Sequence, residues 1–446
     1  MRRAGIWLAA AVLACAVPAH ALEMTRSETV TLKNGLRLVM APDAQAKSVD
    51  VAAWYDAGAR YDAAGHTGTA HLFEHLMFRG STHFGADEHS RLVRNEGGSS
   101  GAYATHDFMS YYETLPPDAV ELAFRLEADR MTGLTLTQQA LDAERPQVSD
   151  ERELRATPIS VALERAYALA FPGHPYGVSV FGRPSDLSKI TLKDLRDFYR
   201  ARYGPSRAIV TVVGNFSRDR VVELARKYFE PIKKASGKAP SLPAEKPQTA
   251  ERRIAERAHV PLRVMMAAWR VPPRTQPDWA SFSLLASVLT RANDAPLSAR
   301  LIGTPPLAYS IQGDVDSRRE GSLFYLALAV APNADSAVVE RTLFSELERL
   351  GREPLADSDL ERAKRQTETT IEFGLQTTRS RAQAIGSGWM LANDTQDLDH
   401  LLERVRAAKP SDLQRAAGQL TAARRNIVWL LPMADTGPGG SSGGRP

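Results

Sequence analysis

The apolar residues in the first half of the chain change their spacing from two residues to about 3.6. Val30-Thr-Leu and Leu36-Arg-Leu-Val-Met are strand-like runs on either side of Asn34-Gly35, a dipeptide that strongly predicts a tight hairpin turn. Later segments carry apolar residues three and four positions apart, as an amphipathic helix does. These spacings predict strands over 49–55, 102–112 and 208–213, and helices over about 118–132, 137–155 and 191–202.

Strands and helices in this order predict an α+β fold. A hairpin joins antiparallel strands, and helices between strands cover a face of the sheet. We therefore expect a mostly antiparallel sheet with helices packed on one side. The length of 446 residues is enough for two or three such units.

The same pattern occurs twice along the chain. Ala52-Ala-Trp54 recurs as Ala267-Ala-Trp269, 215 residues later, and two further pairs of positions recur at an offset of 218 residues. A nearly constant offset indicates a duplicated unit and hence two homologous α/β halves. The further pairs are Asp194-Leu195 with Asp412-Leu413, and Ile209-Val210 with Ile427-Val428.

Composition places the boundaries of the two halves. Residues 236–250 lie in a stretch that is rich in Pro and Lys and poor in apolar side chains, which is typical of a linker. We predict an N-terminal half at 22–235 and a homologous C-terminal half at 251–434. Residues 435–446 are mostly Gly, Ser and Pro, and we predict that they are disordered.

Residues 1–21 have the pattern of a cleavable secretory signal peptide. Two arginines form a basic start, an apolar run follows, and the segment ends in Ala19-His-Ala21. The apolar run is too short for a membrane span. A lipoprotein anchored at Cys15 is the alternative, although Val12-Leu-Ala14 before that cysteine fits the lipoprotein signal poorly.

Cleavage would leave a mature chain without a thiol, and we expect it in a bacterial periplasm. Cys15 is the single cysteine, so the mature chain can form no disulfide. Loss of Arg2 and Arg3 lowers the formal net charge from +4 to +2, and the other arginines are dispersed. This charge gives no strong positive field. We therefore expect no nucleic-acid partner.

The segment 65–80 combines metal-binding residue types with helical spacing. His71 and His75 are four positions apart, so both imidazoles project from one face of a helix and can reach a single ion. Glu74 lies beside that face. Its carboxylate is therefore within reach of a water molecule near the same ion.

Capping and apolar residues bracket this helix. We expect Thr67 or Thr69 to cap its start and Gly80 to end it, while Leu72 and Phe73 provide apolar packing. The alternative interpretation is an apolar helix on which the histidines and the glutamate bind no metal.

The order H-x-x-E-H at 71–75 is that of the inverted zincins. Together with the flanking Gly68 and Arg79-Gly-Ser-Thr82, it resembles the zinc motif of the pitrilysin, insulin-degrading enzyme and mitochondrial processing peptidase family. The resemblance implies an α+β unit, duplicated, whose halves face each other like a clam shell. It also implies a zinc metalloendopeptidase with one Zn²⁺ per chain and a peptide substrate.

The resemblance implies a third zinc ligand at Glu151. This residue lies 76 positions after His75, and Glu144 lies seven positions before it, both at the family's spacing. Two imidazoles and one carboxylate leave a fourth position for water, and Glu74 is then the general base. Glu144 is expected to orient a ligand. Without the family, both glutamates could equally belong to a solvated acidic face.

Pro146 complicates the helix that carries these glutamates. Glu144 and Glu151 are two helical turns apart and share nearly one face. Proline is favoured only in the first turn of a helix. We therefore expect this helix to start near Arg145 or to kink there.

The run 101–106 corresponds in the family to a sheet edge on which the substrate lies as an added strand. Edge N–H and C=O groups can bind any extended backbone, which suits a peptidase of loose sequence preference. Gly101 stands where the family has asparagine. Without the family, the run is an ordinary amphipathic strand. The predicted substrate-binding residues are Gly101, Ala102, Tyr103, Ala104 and Thr105.

The second half carries an incomplete version of another family segment. Residues 296–310 resemble the segment in which an arginine and a tyrosine, seven residues apart, contact the substrate and the oxyanion. Tyr309 is present, but Ile302 occupies the arginine position, and isoleucine cannot donate a hydrogen bond. Arg300 could substitute for the arginine.

This gap predicts a heterodimer in which a homologous subunit supplies the Arg/Tyr pair. The chain also carries one duplicated unit, whereas single-chain enzymes of the family carry two. A homodimer and a catalytically silent scaffold subunit remain alternatives. Five further histidines have no partner at metal spacing and are predicted to be surface or core residues: His66, His83, His89, His106 and His174.

Overall fold

The chain builds two sheets. The structure, a computed structural model, describes residues 25–235, 242–292 and 294–433. The predicted signal peptide, the first part of the predicted linker and the predicted tail lie outside the described residues. The strands of the first sheet are β1 Glu28–Thr31, β2 Arg37–Pro42, β3 Val49–Tyr55, β4 Ser99–Ala104, β5 Met109–Leu115 and β6 Ala208–Gly214; those of the second are β7 Arg252–Ala258, β8 Arg263–Val271, β9 Ala308–Asp316, β10 Ser322–Val330 and β11 Arg425–Pro432.

The two sheets share one plan. The strand orders are β1-β2-β6-β3-β5-β4 and β7-β11-β8-β10-β9. The parallel pair β2 with β6 corresponds to the parallel pair β7 with β11, and the remaining pairs are antiparallel. The prediction of a duplicated, mostly antiparallel α+β unit is confirmed. The Asn34-Gly35 hairpin is also present, as the turn between β1 and β2.

Helices follow the strands in both halves. None of the described helices combines the length and the apolar character needed to cross a membrane. The helices of the first half are α1 Thr69–Leu76, α2 Glu88–Asn95, α3 Val120–Thr132, α4 Gln138–Leu154, α5 Pro158–Ala170, α6 Pro184–Leu187, α7 Leu192–Arg202 and α8 Arg218–Tyr228; those of the second are α9 Trp279–Thr290, α10 Pro296–Leu301, α11 Ser336–Arg352, α12 Asp357–Gly374, α13 Thr378–Ala392, α14 Asp397–Ala407 and α15 Pro410–Gln419.

Each half lends one helix to the other. One face of each sheet packs on helices of its own half. The opposite face of the first sheet packs on α13 from the second half, and the opposite face of the second sheet packs on α5 from the first half. Each sheet therefore has the predicted layer of helices on one face and, in addition, one helix of the other half on its second face. The two halves face each other through these two helices, α5 and α13.

The packing of the two sheets shows that the repeated Ala-Ala-Trp residues are not structurally equivalent. Trp54 in β3 packs on the face that carries α13, where Ile385 and Met390 surround it. Trp269 in β8 packs on the opposite face, among the helices of its own half. Side chains of a strand alternate between the two faces. The Ala-Ala-Trp repeat therefore lies on corresponding strands but not in corresponding positions.

The predicted single strand over 102–112 is wrong. The segment forms the antiparallel pair β4 and β5, with Ala104 opposite Met109. Between them, the Thr105 N–H donates to the Phe108 carbonyl at 2.9 Å, and the Thr105 hydroxyl accepts the Phe108 N–H. Among the described strands, β4 pairs with β5 alone, so β4 is an edge of the first sheet.

The contact between α13 and Trp54 gives a test of the exchange. Gly386 packs so closely on the Trp54 ring that a Cβ would collide with it. We expect Gly386→Ala to lower the free energy of unfolding by about 1–3 kcal/mol through overpacking. A Cβ at Gly418 on α15 would meet no atom within 4 Å. Gly418→Ala should therefore be neutral or slightly stabilising in the same urea titration. Equal stability of both variants would contradict the packing of α13 on the first sheet.

Candidate metal centre

The helix α1 is short and is held by packing. Leu72, Phe73 and Leu76 are buried in the core of the first half, and His71 is 1% exposed. Eight residues are too few for a stable isolated helix in water. Its apolar contacts therefore fix the direction in which the two histidines project.

A distant carboxylate caps this helix. Asp62 Oδ2 accepts the N–H of Gly68 at 2.7 Å, and Asp62 Oδ1 accepts the N–H of Ala70 at 2.9 Å. The prediction that Thr67 or Thr69 caps the helix is wrong, because neither hydroxyl accepts an N–H of α1; they donate to Asp186 and to the His66 carbonyl. The residue that precedes the helix is Gly68, with φ of 97°, a conformation that favours glycine.

The other end of α1 also differs from the prediction. The helix ends at Leu76, four residues before Gly80. Two further backbone bonds, from the N–H groups of Phe78 and Arg79, continue the turn. Gly80 follows with φ of 112° and reverses the chain.

The helix α4 runs through Pro146 from Gln138 to Leu154, so it does not start near Arg145 as one prediction allowed. Glu144 is fully buried on its inner face, and the side chain of Glu151 is 17% exposed two turns later. The missing N–H of Pro146 therefore does not prevent both glutamates from facing α1.

Three donor atoms from α1 and α4 converge. The Nε2 atom of His75 lies 2.9 Å from Glu151 Oε2, and the Nε2 atom of His71 lies 3.4 Å from the same oxygen. Ligand atoms of a tetrahedral zinc are about 3.3 Å apart. Within the described residues, His71, His75 and Glu151 form the one group of three such donors. Their spacing and chemistry fit a zinc ion.

The ionisation of His71 also fits a metal ligand. Burial, and then the neighbouring His75, lower the pKa of His71 to about 4. The imidazole is therefore neutral near pH 7, the form that binds a metal. Its Nδ1 atom is buried and has no hydrogen-bond partner among the residues that the structure describes.

The Nδ1 atom of His75, on the side of the ring away from Glu151, contacts the carboxylate of Glu144. This atom lies 2.9 Å from Glu144 Oε2, and the other oxygen of Glu144 accepts a hydrogen bond from Arg79. A carboxylate on the far side of a metal-binding imidazole fixes its tautomer and its orientation. Glu144 therefore lies behind the His75 ring, and its role in orienting a metal ligand stays a prediction.

Glu74 lies between the three donors and the edge strand. Its Oε2 atom is 3.6 Å from His71 Nε2 and accepts the N–H of Ala104, at the end of β4, at 2.8 Å. Burial, and then the charge of Glu151, raise the pKa of Glu74 to about 7. A cavity of about 520 Å³ opens here, lined by Glu74, Ala102 and Glu151 among others.

The predicted substrate residues divide by position. Ala102 lines the cavity, whereas the Tyr103 side chain points to the opposite face and packs on Trp54. Thr105 lies beyond β4, in the turn. At Gly101, a Cβ would lie 2.5 Å from the Tyr112 hydroxyl, so no side chain fits while Tyr112 keeps this position.

The predicted residues of the second half do not line this cavity. Tyr309 is 54% exposed on β9, the edge strand of the second sheet, and Ile302 is 42% exposed. The Nη2 atom of Arg300 pairs at 3.1 Å with the buried Glu346.

The five further histidines singled out from the sequence each lie beside an acidic side chain or a carbonyl group, and His174 also accepts the Tyr176 N–H. Four face a carboxylate, and the fifth faces a backbone carbonyl. The pairs are His66 with Asp194, His83 with Asp129, His89 with Glu113, His174 with Glu320, and His106 with the Val178 carbonyl.

Three residues that contact the site were missed from the sequence. Arg79 lies four positions after His75, and Arg155 lies four after Glu151, so helical spacing alone could have indicated both. Asp62 reaches the start of α1 from a loop, and no spacing rule indicates that contact.

Two family models match the chain. The insulinase model, peptidase family M16, matches residues 37–183, and the model of the peptidase M16 inactive domain matches residues 189–367. The chain belongs to peptidase family M16. The resemblance to the pitrilysin and insulinase family is therefore confirmed. His71, Glu74, His75 and Glu151 all lie within the insulinase match.

Several relatives of this M16 chain cover nearly its whole length. The zinc protease PqqE of Helicobacter pylori is 27% identical over 416 residues, covering 92% of this chain and 94% of the relative. An uncharacterised zinc protease of Mycobacterium leprae is 26% identical over 91% of both chains. A probable mitochondrial-processing peptidase subunit beta of Arabidopsis thaliana is 24% identical over 90% of this chain and 77% of its own.

Solved structures share the fold. A protease from Helicobacter pylori has a TM-score of 0.86 and 27% identity, covering 91% of this chain and 99% of the other. A peptidase M16 inactive domain from Pseudomonas fluorescens has a TM-score of 0.81 at 16% identity, covering 93% and 100%. A chain of complex III2 from Candida albicans has a TM-score of 0.77 at 17% identity, covering 90% and 95%. The last two show the fold alone.

Removal of the Asp62 cap should weaken the fold around α1. We expect Asp62→Ala to lower the free energy of unfolding by about 1–2 kcal/mol, because two helix N–H groups lose their acceptor. Asp62→Asn keeps one acceptor oxygen and should lose less. Asp219→Ala removes a highly exposed carboxylate and should change the value by less than about 0.5 kcal/mol. Urea unfolding checks all three; equal values for Asp62→Ala and Asp219→Ala would contradict the capping role.

Proposed function

We propose that this chain is a zinc-dependent endopeptidase that hydrolyses peptides or unfolded segments. The observation that carries the proposal is the convergence of His71, His75 and Glu151, with Glu74 between them and the edge strand β4. Relatives named as zinc proteases support the same activity.

His71, His75 and Glu151 would hold one Zn²⁺ per chain. When bound, zinc at such a site polarises a peptide carbonyl and lowers the pKa of water at an open coordination position. The protein supplies three anchored donors, two of them from one helix. Glu144 keeps the His75 ring in place through its Nδ1 atom.

Glu74 is the proton carrier of the proposed reaction. Its carboxylate takes a proton from the attacking water and returns it to the amine that leaves. The position supports this role, because Glu74 Oε2 is 3.6 Å from the ligand atom of His71 and 2.8 Å from an N–H of the edge strand. A substrate peptide bound along β4 would bring one of its backbone carbonyl groups close to the Glu74 carboxylate.

The edge of β4 would bind the substrate as an added strand. Backbone groups of an edge strand pair with any extended peptide, whatever its side chains. Ala102, which lines the cavity, keeps this part of the edge free of large side chains. Only extended segments can pair in this way, which favours peptides and unfolded regions over folded proteins.

We further propose that a homologous subunit completes the site with an arginine and a tyrosine. Ile302 offers no donor, Arg300 is paired with Glu346, and Tyr309 lies on the edge of the second sheet. The Arabidopsis relative is named as a subunit, and the Candida structure is a multi-subunit complex. A homodimer that uses Tyr309 and Arg300 is the alternative assembly.

A catalytically silent scaffold is the second candidate. One matching model describes an inactive domain, but it covers residues 189–367, which contain none of the three donors. The donors and Glu74 lie within the insulinase match. This division favours an active chain.

We also propose that the peptidase acts in the periplasm, a location supported by the signal-like pattern of residues 1–21. Anchoring as a lipoprotein through Cys15 is the alternative.

Two substitutions should separate proton transfer from metal binding. We expect Glu74→Gln to keep zinc and to lose at least about a hundredfold in the rate of peptide hydrolysis. His71→Ala should lose both zinc and activity. Glu153→Gln, an exposed change on α4, is the matched control and should keep both. Zinc content and cleavage of an unstructured peptide, with and without a chelator, are the measurements. Full activity of Glu74→Gln would refute the proton-carrier role.

The assembly can be tested on the purified chain alone. We expect it to bind zinc but to cleave peptides slowly, because the arginines that line the cavity, Arg79 and Arg155, are paired with Glu144 and Glu151 and do not replace the missing arginine. Light scattering gives its oligomeric state, and the peptide assay gives its rate. Full activity as a monomer or homodimer would overturn the heterodimer.

A further inference from the structure

Arg155 touches Glu151 through both its backbone and its side chain. It follows the last turn of α4, where its N–H donates to the Glu151 carbonyl at 2.9 Å. Its Nη2 atom pairs with Glu151 Oε1 at 2.5 Å. A glutamate four positions before an arginine on one helix is a favourable orientation for such a pair.

The two oxygens of Glu151 therefore have different surroundings. Oε1 faces Arg155, while Oε2 faces the Nε2 atoms of His71 and His75. A glutamate side chain has three rotatable bonds, and that of Glu151 is 17% exposed at the cavity wall. Without a partner on Oε1, the carboxylate could turn either oxygen toward the histidines or swing into the cavity.

We propose that Arg155 is a positioning residue that holds Glu151 with a single oxygen directed at the metal site. The role rests on the proposed function, because it requires Glu151 to be a zinc ligand. Arg155 pairs with Glu151 in the same way that Arg79 pairs with Glu144. Each of the two acidic groups that face His75 is thus fixed by its own guanidinium.

The charges of the cavity support this role. Glu74, Glu144 and Glu151 bring three carboxylates around one pair of histidines. Carboxylates this close repel one another, and Glu151, at 17% exposure the most accessible of the three, has the most room to turn away. Arg155 opposes that movement, because its guanidinium pairs with Glu151 at the cavity wall.

Arg152 provides a matched control on the same helix. It carries the same charge and the same side chain, but its Nη1 atom donates to the Gly182 carbonyl at 3.1 Å, and its Nη2 atom lies 3.6 Å from Glu164. It does not line the cavity. A loss of general positive charge near α4 would affect both arginines, whereas the proposed role belongs to Arg155 alone.

The test is the zinc affinity of the full chain, measured by competition with a chromophoric chelator. We expect Arg155→Ala to bind zinc about 10–100-fold more weakly than the wild type, the usual cost of losing a group that orients a ligand. Arg155→Lys should recover part of this loss, and Arg152→Ala should stay within about twofold. The Tm of the metal-free protein should shift by less than about 2 °C in the two Arg155 variants, because the Arg155 side chain is 61% exposed.

The outcomes separate this role from the function on which it rests. A wild-type chain that binds no zinc overturns both. A wild-type chain that binds zinc, with Arg155→Ala within twofold of it or with equal losses in Arg155→Ala and Arg152→Ala, overturns the role of Arg155 alone.

Discussion

Both nitrogens of one imidazole face carboxylates from a single helix. Glu144 lies at 2.9 Å from Nδ1 of His75, and Glu151 lies at 2.9 Å from Nε2. Seven residues are about two turns of an α-helix, so α4 presents both groups on one side. The contact of α1 with α4 thereby fixes the His75 ring, and the packing of α1 directs His71 toward the same Glu151 oxygen. The rest of the fold keeps these two helices in place.

The sheet connects this metal centre to the proposed substrate. Glu74 accepts the N–H of Ala104, so the helix that carries the histidines is tied directly to the edge of the first sheet. The opposite face of that sheet rests on α13 from the second half, which packs on β3 and β6. The duplicated unit thus also provides a helix that covers the sheet of the other half. Each half closes the open face of the other, and the edge strand keeps a defined position relative to α1.

The sequence predicted what repeats with a helical or strand period. His71 and His75 lie four positions apart at helical spacing, whereas Glu144 and Glu151, seven apart, were singled out through the family resemblance; the structure brings these four side chains together. Contacts made by returning loops were not predictable in this way: Asp62 caps α1 from a loop, while the two threonines beside the helix are used elsewhere. The turn at Thr105 was also missed, because no glycine or proline marks it. The exchange of α5 and α13 depends on packing between distant segments, which no local pattern reports.

One zinc ion is proposed to bind between α1 and α4, and anomalous diffraction at the zinc edge can locate it. Crystals grown with one equivalent of zinc should show a single strong peak within about 2.0–2.2 Å of His71 Nε2, His75 Nε2 and a Glu151 oxygen. A peak bound by other residues, or no peak with these three side chains pointing apart, would contradict the account.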